Sequence, residues 1–243
     1  MDSRGCTVIL PTFNEEENIG NMITCLRYLY PDFKILVMDD NSKDGTRGIV
    51  TDLMANDPKV SMIVRRIDDK GLTASIIHGI VETDTEFFIN MDSDFQHPPS
   101  ALKEMYDMLL DSDLVIGVRN DRTSLSVGRW ASSWLAHTMA NLTLRLRDKR
   151  TSNDVMSGLF GGRTDMFANV IKEHEAKFER EGFKALFDLL KFSPKDIAIR
   201  DVYFEFGERQ GGESKISSKV IFSVMRQCGR PGRFTADVIN KKG

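Results

Sequence analysis

Four short apolar runs, Cys6–Leu10, Phe33–Met38, Val60–Val64 and Glu86–Met91, alternate with segments of helical periodicity. The first such segment, Asn14–Tyr30, carries Ile19, Met22, Ile23, Leu26 and Leu29 at helical spacing. Its acids Glu15 to Glu17 stand at the start, where the helix dipole favours negative charge. Gly45–Ala55 and Leu72–Val81 are the next two helices. Strands that alternate with helices cannot pair as hairpins. They require crossovers, and so a mostly parallel, doubly wound α/β sheet flanked by helices.

The rhythm continues through a helix over Ala101–Leu110 and a strand over Leu114–Val118, then changes after Asn120. A long, partly apolar helix is expected over Gly128–Leu146, with Trp130 and Trp134 on it. Phe183–Phe192 reads as a helix, Ala198–Phe206 alternates like a strand, and Lys215–Gln227 reads as an amphipathic helix. With 243 residues, 41% apolar and 28% charged, one globular domain suffices. Residues 1–118 are expected to bind a nucleotide, 119–228 to form a C-terminal acceptor-side extension, and 229–243 a basic tail.

A formal net charge of −3 excludes a broad nucleic-acid surface. Cys6, Cys25 and Cys228 lack metal-ligand spacing and read as reduced thiols, which suits a cytosolic setting. Met1–Gly5 has no apolar core behind it and does not read as a signal peptide. No apolar run reaches the length of a membrane span.

The chemistry concentrates in Met91-Asp92-Ser93-Asp94-Phe95-Gln96-His97-Pro98, directly after the fourth strand. Asp92, Asp94 and the Gln96 carboxamide are hard oxygen donors, suited to Mg²⁺ or Mn²⁺ rather than zinc. Strand C-termini in open α/β sheets are where nucleotides and phosphates bind. An ion here would bridge a nucleotide's two phosphates as the nucleotide diphosphate leaves. His97, before Pro98 and Pro99, is read as a packing or hydrogen-bonding residue outside the metal shell.

Other segments admit two readings each. Asp39-Asp40-Asn41-Ser42 follows the second strand; its acids can accept hydrogen bonds from a base or ribose, or simply cap a turn. Pro11-Thr12-Phe13-Asn14-Glu15 can cap a helix and touch a nucleotide at once. Arg209-Gln210-Gly211-Gly212-Glu213-Ser214-Lys215 suits a diphosphate, or is a charged loop capped by Ser214. Among the basic residues of the middle segment, Arg119 at a strand end and Arg129 opening a helix are best placed to hold an anion. Asp154-Val155-Met156-Ser157-Gly158 is too short to assign by chemistry.

Taken in order, these motifs, with Gly182-Phe183-Lys184, resemble the dolichol-phosphate mannose synthases of the family 2 glycosyltransferases, from about Val8 to Lys215. The resemblance implies a GT-A fold and inverting transfer of a hexose from a nucleotide diphosphate sugar, GDP-mannose first, to dolichyl or another polyprenyl phosphate. It implies that Asp92, Asp94 and Gln96 hold the metal and donor diphosphate, and that Pro11, Phe13, Glu15, Asp39 and Asp40 line the nucleotide pocket. It assigns Arg119, Arg129 and Ser133 to the lipid phosphate and Arg209 and Lys215 to the donor phosphates, with Asp94, Arg119 and Arg129 as the catalytic set. Ser93 stands for the commoner Ala, Gly117-Val118-Arg119 for Ser-Arg-Tyr, and Asp188 for Glu. These departures lie on the sugar and acceptor side, so UDP-glucose or UDP-N-acetylglucosamine remains an alternative donor. An inactive nucleotide-sugar-binding module serving a membrane partner is the alternative from another class. A polysaccharide acceptor is disfavoured, because Gln-x-x-Arg-Trp is absent.

A lipid acceptor implies a peripheral position on the cytosolic face of a membrane, with or without an anchoring subunit. The apolar face of Lys215–Gln227 either lies on the bilayer or packs on the protein's own core. The basic tail can add attraction to anionic lipid.

Overall fold

The computed structural model describes residues 5–66, 69, 71–120, 127–179, 185–205 and 207, of which 127–136 by their backbone alone. The expected Lys215–Gln227 helix and the Arg209 to Lys215 loop lie outside the described residues.

Among the described residues seven strands form one sheet in the order β3-β2-β1-β4-β6-β5-β7. They are β1 (Cys6–Thr12), β2 (Lys34–Asp39), β3 (Val60–Val64), β4 (Phe87–Asn90), β5 (Leu114–Arg119), β6 (Phe160–Arg163) and β7 (Ile199–Phe204). The helices are α1 (Ile19–Leu29), α2 (Thr46–Asn56), α3 (Leu72–Glu82), α4 (Ala101–Leu109), α5 (Val127–Leu146), α6 (Thr164–His174) and α7 (Ala185–Phe192). Strand β1 pairs in parallel with β2 on one side and β4 on the other, and β5 pairs in parallel with β7. Only β6 runs antiparallel, between β4 and β5.

Side chains alternate across each strand, and the two faces fill two cores. Val8 and Leu10 of β1 pack with Ile19, Met22, Ile23 and Leu26 of α1 and Leu102, Met105 and Leu109 of α4. Ile9 faces the other way, with Ile76, Ile77 and Ile80 of α3, Phe167 of α6 and Leu186 and Leu189 of α7. Val8, Ile9 and Leu10 are fully buried, each burial contributing about 1.5–3 kcal/mol. A strand apolar on both faces is what a sheet covered by helices on both sides requires.

Two findings differ from the sequence expectation. Helix α1 begins at Ile19, not Asn14, because Asn14 has φ 55° and the following backbone amides bond elsewhere. Strand β6 and helix α6 had no sequence signal assigned. The four-residue β6, Phe-Gly-Gly-Arg, lacks alternation and strand-favouring residues. Its glycines are set by contact: a Cβ at Gly161 would lie 2.7 Å from the Phe88 carbonyl oxygen, and one at Gly162 2.5 Å from Phe167 Cε2.

Candidate active site

The strand order reverses between β1 and β4, and the segments leaving their C-terminal ends carry the motifs singled out in the sequence. Pro11 and Thr12 lie within β1 opposite Met38 and Asp39 of β2. Phe13, 37% exposed, extends past the strand end.

The loops after β1 and β2 are laced together. The Asn14 amide donates to Ser42 Oγ at 2.9 Å, and the Lys43 amide returns a bond to Asn14 Oδ1 at 2.9 Å. The Glu15 amide donates to Thr46 Oγ1 at 2.9 Å, and the Gly45 amide to Glu16 Oε2 at 2.6 Å. Asn14 and Asn41 adopt left-handed φ of 55° and 62°, which asparagine tolerates better than most residues. The acids expected to open a helix therefore brace a loop instead.

Asp44 adds to this brace, accepting from the Glu16 and Thr46 amides. Partial burial pushes its carboxyl up, but bonds from Thr46, Glu16 and its own amide outweigh that and hold it below its ordinary value of 3.8. A depressed folded value stabilises above the unfolded value and is lost as pH falls through the folded one. Asp44→Ala is therefore expected to cost roughly 1 kcal/mol in urea unfolding at pH 7. The gap to wild type should close well below pH 3.8; a gap that persists in acid would contradict this origin.

The neighbouring Asp39 and Asp40 differ sharply. Asp39 is fully buried; its Oδ2 accepts the Ser42 amide at 3.0 Å. Its Oδ1 is buried without a hydrogen-bond partner among the described residues. Asp40, by contrast, is committed to the framework. Its Oδ1 accepts from Arg65 at 2.6 Å and from Ser75 Oγ at 2.7 Å, and its Oδ2 from the Gly71 amide at 3.0 Å. Arg65, 3% exposed, also grips the Asp69 carboxylate at 2.6 Å. Its own amide donates to the Asp39 carbonyl at 2.8 Å. Sequence reading passed over Arg65; its place directly after the β3 apolar run, at a strand's C-terminal end, was the available signal.

After β4 the chain turns through the carboxylate loop. Asp94 is 5% exposed and its Oδ1 accepts the Gln96 amide at 3.1 Å. Phe95 between them has φ 63°, a costly conformation for an aromatic residue that aims its neighbours. The Asp92 side chain is more open, at 41%. Gly207, beyond β7, locks this loop from the side: its amide donates to the Gln96 carbonyl at 3.0 Å, and a Cβ there would sit 2.6 Å from the Phe95 carbonyl oxygen. Among the described residues no group of three His, Cys, Asp or Glu could hold a metal by itself. Asp92 and Asp94 with Gln96 make a smaller hard-oxygen set. That suits an ion completing its shell from phosphates and water, as Mg²⁺ does with one or two carboxylates.

Arg119 ends β5 in register with Phe204 of β7. Arg129 and Ser133 fall within α5 at positions described by their backbone alone, and Arg209 and Lys215 lie outside the described residues. Among the described residues no helix is long and apolar enough to cross a membrane.

Residues 7–171, more than half of the chain, match glycosyl transferase family 2. The chain belongs to that family. As a family 2 glycosyltransferase it is 31% identical to the dolichol-phosphate mannosyltransferase of Mycosarcoma maydis, over 94% of this chain and 79% of that one. It is also 31% identical to the dolichol-phosphate mannosyltransferase of Saccharomyces cerevisiae, over 91% of this chain and 84% of that one. Its fold matches glucosyl-3-phosphoglycerate synthase from Mycobacterium tuberculosis, with TM-score 0.63 and 20% identity, covering 94% of this chain and 80% of that one. That structure was solved with Mn²⁺, uridine diphosphate and phosphoglyceric acid. The fold of this glycosyltransferase is GT-A, as the sequence resemblance implied.

Proposed function

We propose that this glycosyltransferase transfers a hexose from a nucleotide diphosphate sugar, GDP-mannose first, to dolichyl or another polyprenyl phosphate, with inversion to a β-linked product. The observation that carries the donor half is the buried Asp39 Oδ1 at the C-terminal end of β2, which has no hydrogen-bond partner among the described residues. An unsatisfied buried carboxylate oxygen calls for a donor. The ring N–H and amino group of guanine supply one. The acceptor half rests on similarity to dolichol-phosphate mannosyltransferases across most of the chain. A UDP-sugar is the second reading, because uracil also presents a ring N–H, and the Mycobacterium tuberculosis neighbour was solved with uridine diphosphate.

In this reading Pro11, Phe13 and Glu15 frame the nucleotide with Asp39, and Asp40 fixes the wall through Arg65. Asp92, Asp94 and Gln96 would hold Mg²⁺ or Mn²⁺, whose charge offsets that of the departing nucleotide diphosphate. Residues 1–118 form the donor half, 119–228 the acceptor half and 229–243 a basic tail. The acceptor is a phosphate monoester with a second pKa of about 6, so it is already ionised at neutral pH. No strong base is needed, and the protein's task is to align charges and exclude alternatives. Arg119, Arg129 and Ser133 receive the lipid phosphate, and Arg209 and Lys215 approach the donor phosphates. The enzyme works peripherally at the cytosolic face of a membrane, with an anchoring subunit as a further partner.

Radiolabelled GDP-mannose, UDP-glucose and UDP-N-acetylglucosamine, each with dolichyl phosphate in detergent, Mn²⁺ or Mg²⁺ and a chelator control, test this directly. Metal-dependent label in the lipid phase from GDP-mannose is expected. Label from a UDP-sugar alone would select the second reading, and no lipid label from any donor would overturn both. Arg129→Ala is expected to raise KM for the lipid phosphate by roughly 10–100-fold, as loss of a charge-assisted bond would. An equal rise in donor KM would place Arg129 elsewhere.

A further inference from the structure

We propose that His97, backed by Gly158, is a positioning residue that sets Asp92 for the divalent ion. The inference rests on reading Asp92 and Asp94 as the ion-holding carboxylates, and assigns a role to the Asp154–Gly158 segment that its chemistry alone left open.

His97 is 3% exposed. Its Nδ1 accepts the backbone N–H of Asp92 at 3.1 Å. The neutral ring therefore carries its proton on Nε2. Nδ1 also lies 3.7 Å from Asp92 Oδ2. With its lone pair engaged by the amide, this approach is not an ion pair. The ring of Phe204, at the end of β7, packs edge-on against His97 at 5.7 Å and 80°.

Gly158 closes the other side. A Cβ there would lie 3.1 Å from His97 Cε1, 3.7 Å from Nε2 and 3.5 Å from Asp92 Oδ2. A methyl group there must therefore push the imidazole aside by a few tenths of an ångström while lying in ordinary contact with the carboxylate. Gly158 is itself anchored, because Asn90 Nδ2 donates to its carbonyl at 2.7 Å and Asn90 is fully buried at the end of β4. The preceding residues are tied to the far sheet edge, where Ser152 and Asn153 bond the Asp201 carboxylate of β7 at 2.7 and 2.8 Å. A continuous support thus runs from the sheet through Asn90, Gly158 and His97 to Asp92.

This support matters because the Asp92 side chain is 41% exposed and has little packing of its own. A small ion with strict octahedral demands needs its carboxylates aimed in advance. Losing a group that orients a ligand typically weakens metal binding by roughly 10–100-fold.

The test is Mn²⁺ binding to the full chain, followed by electron paramagnetic resonance with GDP present and paired with thermal melts. His97→Leu should weaken Mn²⁺ binding by roughly 10–100-fold, and Gly158→Ala by roughly 10-fold. His97→Asn, whose Oδ1 falls near the Nδ1 position, should stay close to wild type, whereas His97→Gln should not. In transfer assays the deficit should appear in the KM for metal, with kcat recovered at saturating Mn²⁺. Wild-type Mn²⁺ affinity in His97→Leu or Gly158→Ala would overturn the proposal, as would His97→Asn binding as weakly as His97→Leu. If His97→Leu does not fold, Gly158→Ala and His97→Asn decide in the same way. Wild-type protein that binds no Mn²⁺ with either GDP or UDP would overturn the underlying reading of the carboxylates, a result distinct from any variant-specific loss.

Discussion

Asp94→Ala is expected to lower sugar transfer by on the order of a thousandfold or more, the scale seen when a group stabilising developing charge is removed. Asp94 is nearly buried, at 5% exposure, and its Oδ1 is aimed by the Gln96 amide. The left-handed Phe95 and the clamp from Gly207 hold that aim against strain. The carboxylate's charge, not its bulk, is what the site needs. Asp94→Asn keeps an acceptor for the Gln96 amide while removing that charge, so it should be nearly as inactive as Asp94→Ala. The measurement is lipid-phase label across a Mn²⁺ titration, with melting curves to separate folding from function. Wild-type turnover by Asp94→Ala in chelator-treated buffer would refute the assignment.

The largest expected effect on stability belongs to Arg65. Its guanidinium and the Asp40 carboxylate, with side chains 1% and 12% exposed, meet at 2.6 Å. Ser75 and Asp69 complete the network. Replacing both members of such a pair by apolar residues is often tolerated, but removing one leaves a desolvated charge. Arg65→Met should therefore cost about 3–5 kcal/mol in urea unfolding. Adding Asp40→Leu to Arg65→Met should recover part of that loss, a coupling that a double-mutant cycle reads directly. A loss below about 1 kcal/mol in Arg65→Met would mean that the pair is screened as surface pairs are. Nucleotide affinity should fall as well, since the side chain that is lost anchors Asp40, the residue directly after Asp39.

Most of the sheet was legible in the sequence because β1, β2 and β4 are buried on both faces and read as apolar runs, while the half-exposed edge strand β3 keeps enough apolar residues to be recognised. Strand β6 was not, because Gly161 and Gly162 are chosen for the closeness of Phe88 and Phe167, a tertiary demand with no local periodicity. The site divides in the same way. Asp92 and Asp94 announce themselves by spacing at a strand end. The contrast between Asp39 and Asp40 does not, since only the fold reveals that Arg65 occupies the Asp40 carboxylate, while an oxygen of Asp39 has no partner among the described residues. His97, which the sequence offers as a packing or hydrogen-bonding residue, does both, but its hydrogen-bond partner is the Asp92 amide, and its neighbour Gly158 comes from far along the chain.

The lacing of the first two loops bears on the order in which the site is made. Among the described residues, the hydrogen bonds that lace the loops around Asp39 join residues between Thr12 and Ser75. During synthesis, N-terminal first, these partners leave the ribosome before Asp92 does. The carboxylate loop must wait longer, because its supports Gly158 and Gly207 are made late. A nascent chain would thus hold every partner of the lacing around Asp39 before it holds the supports of the Asp92–Asp94 loop.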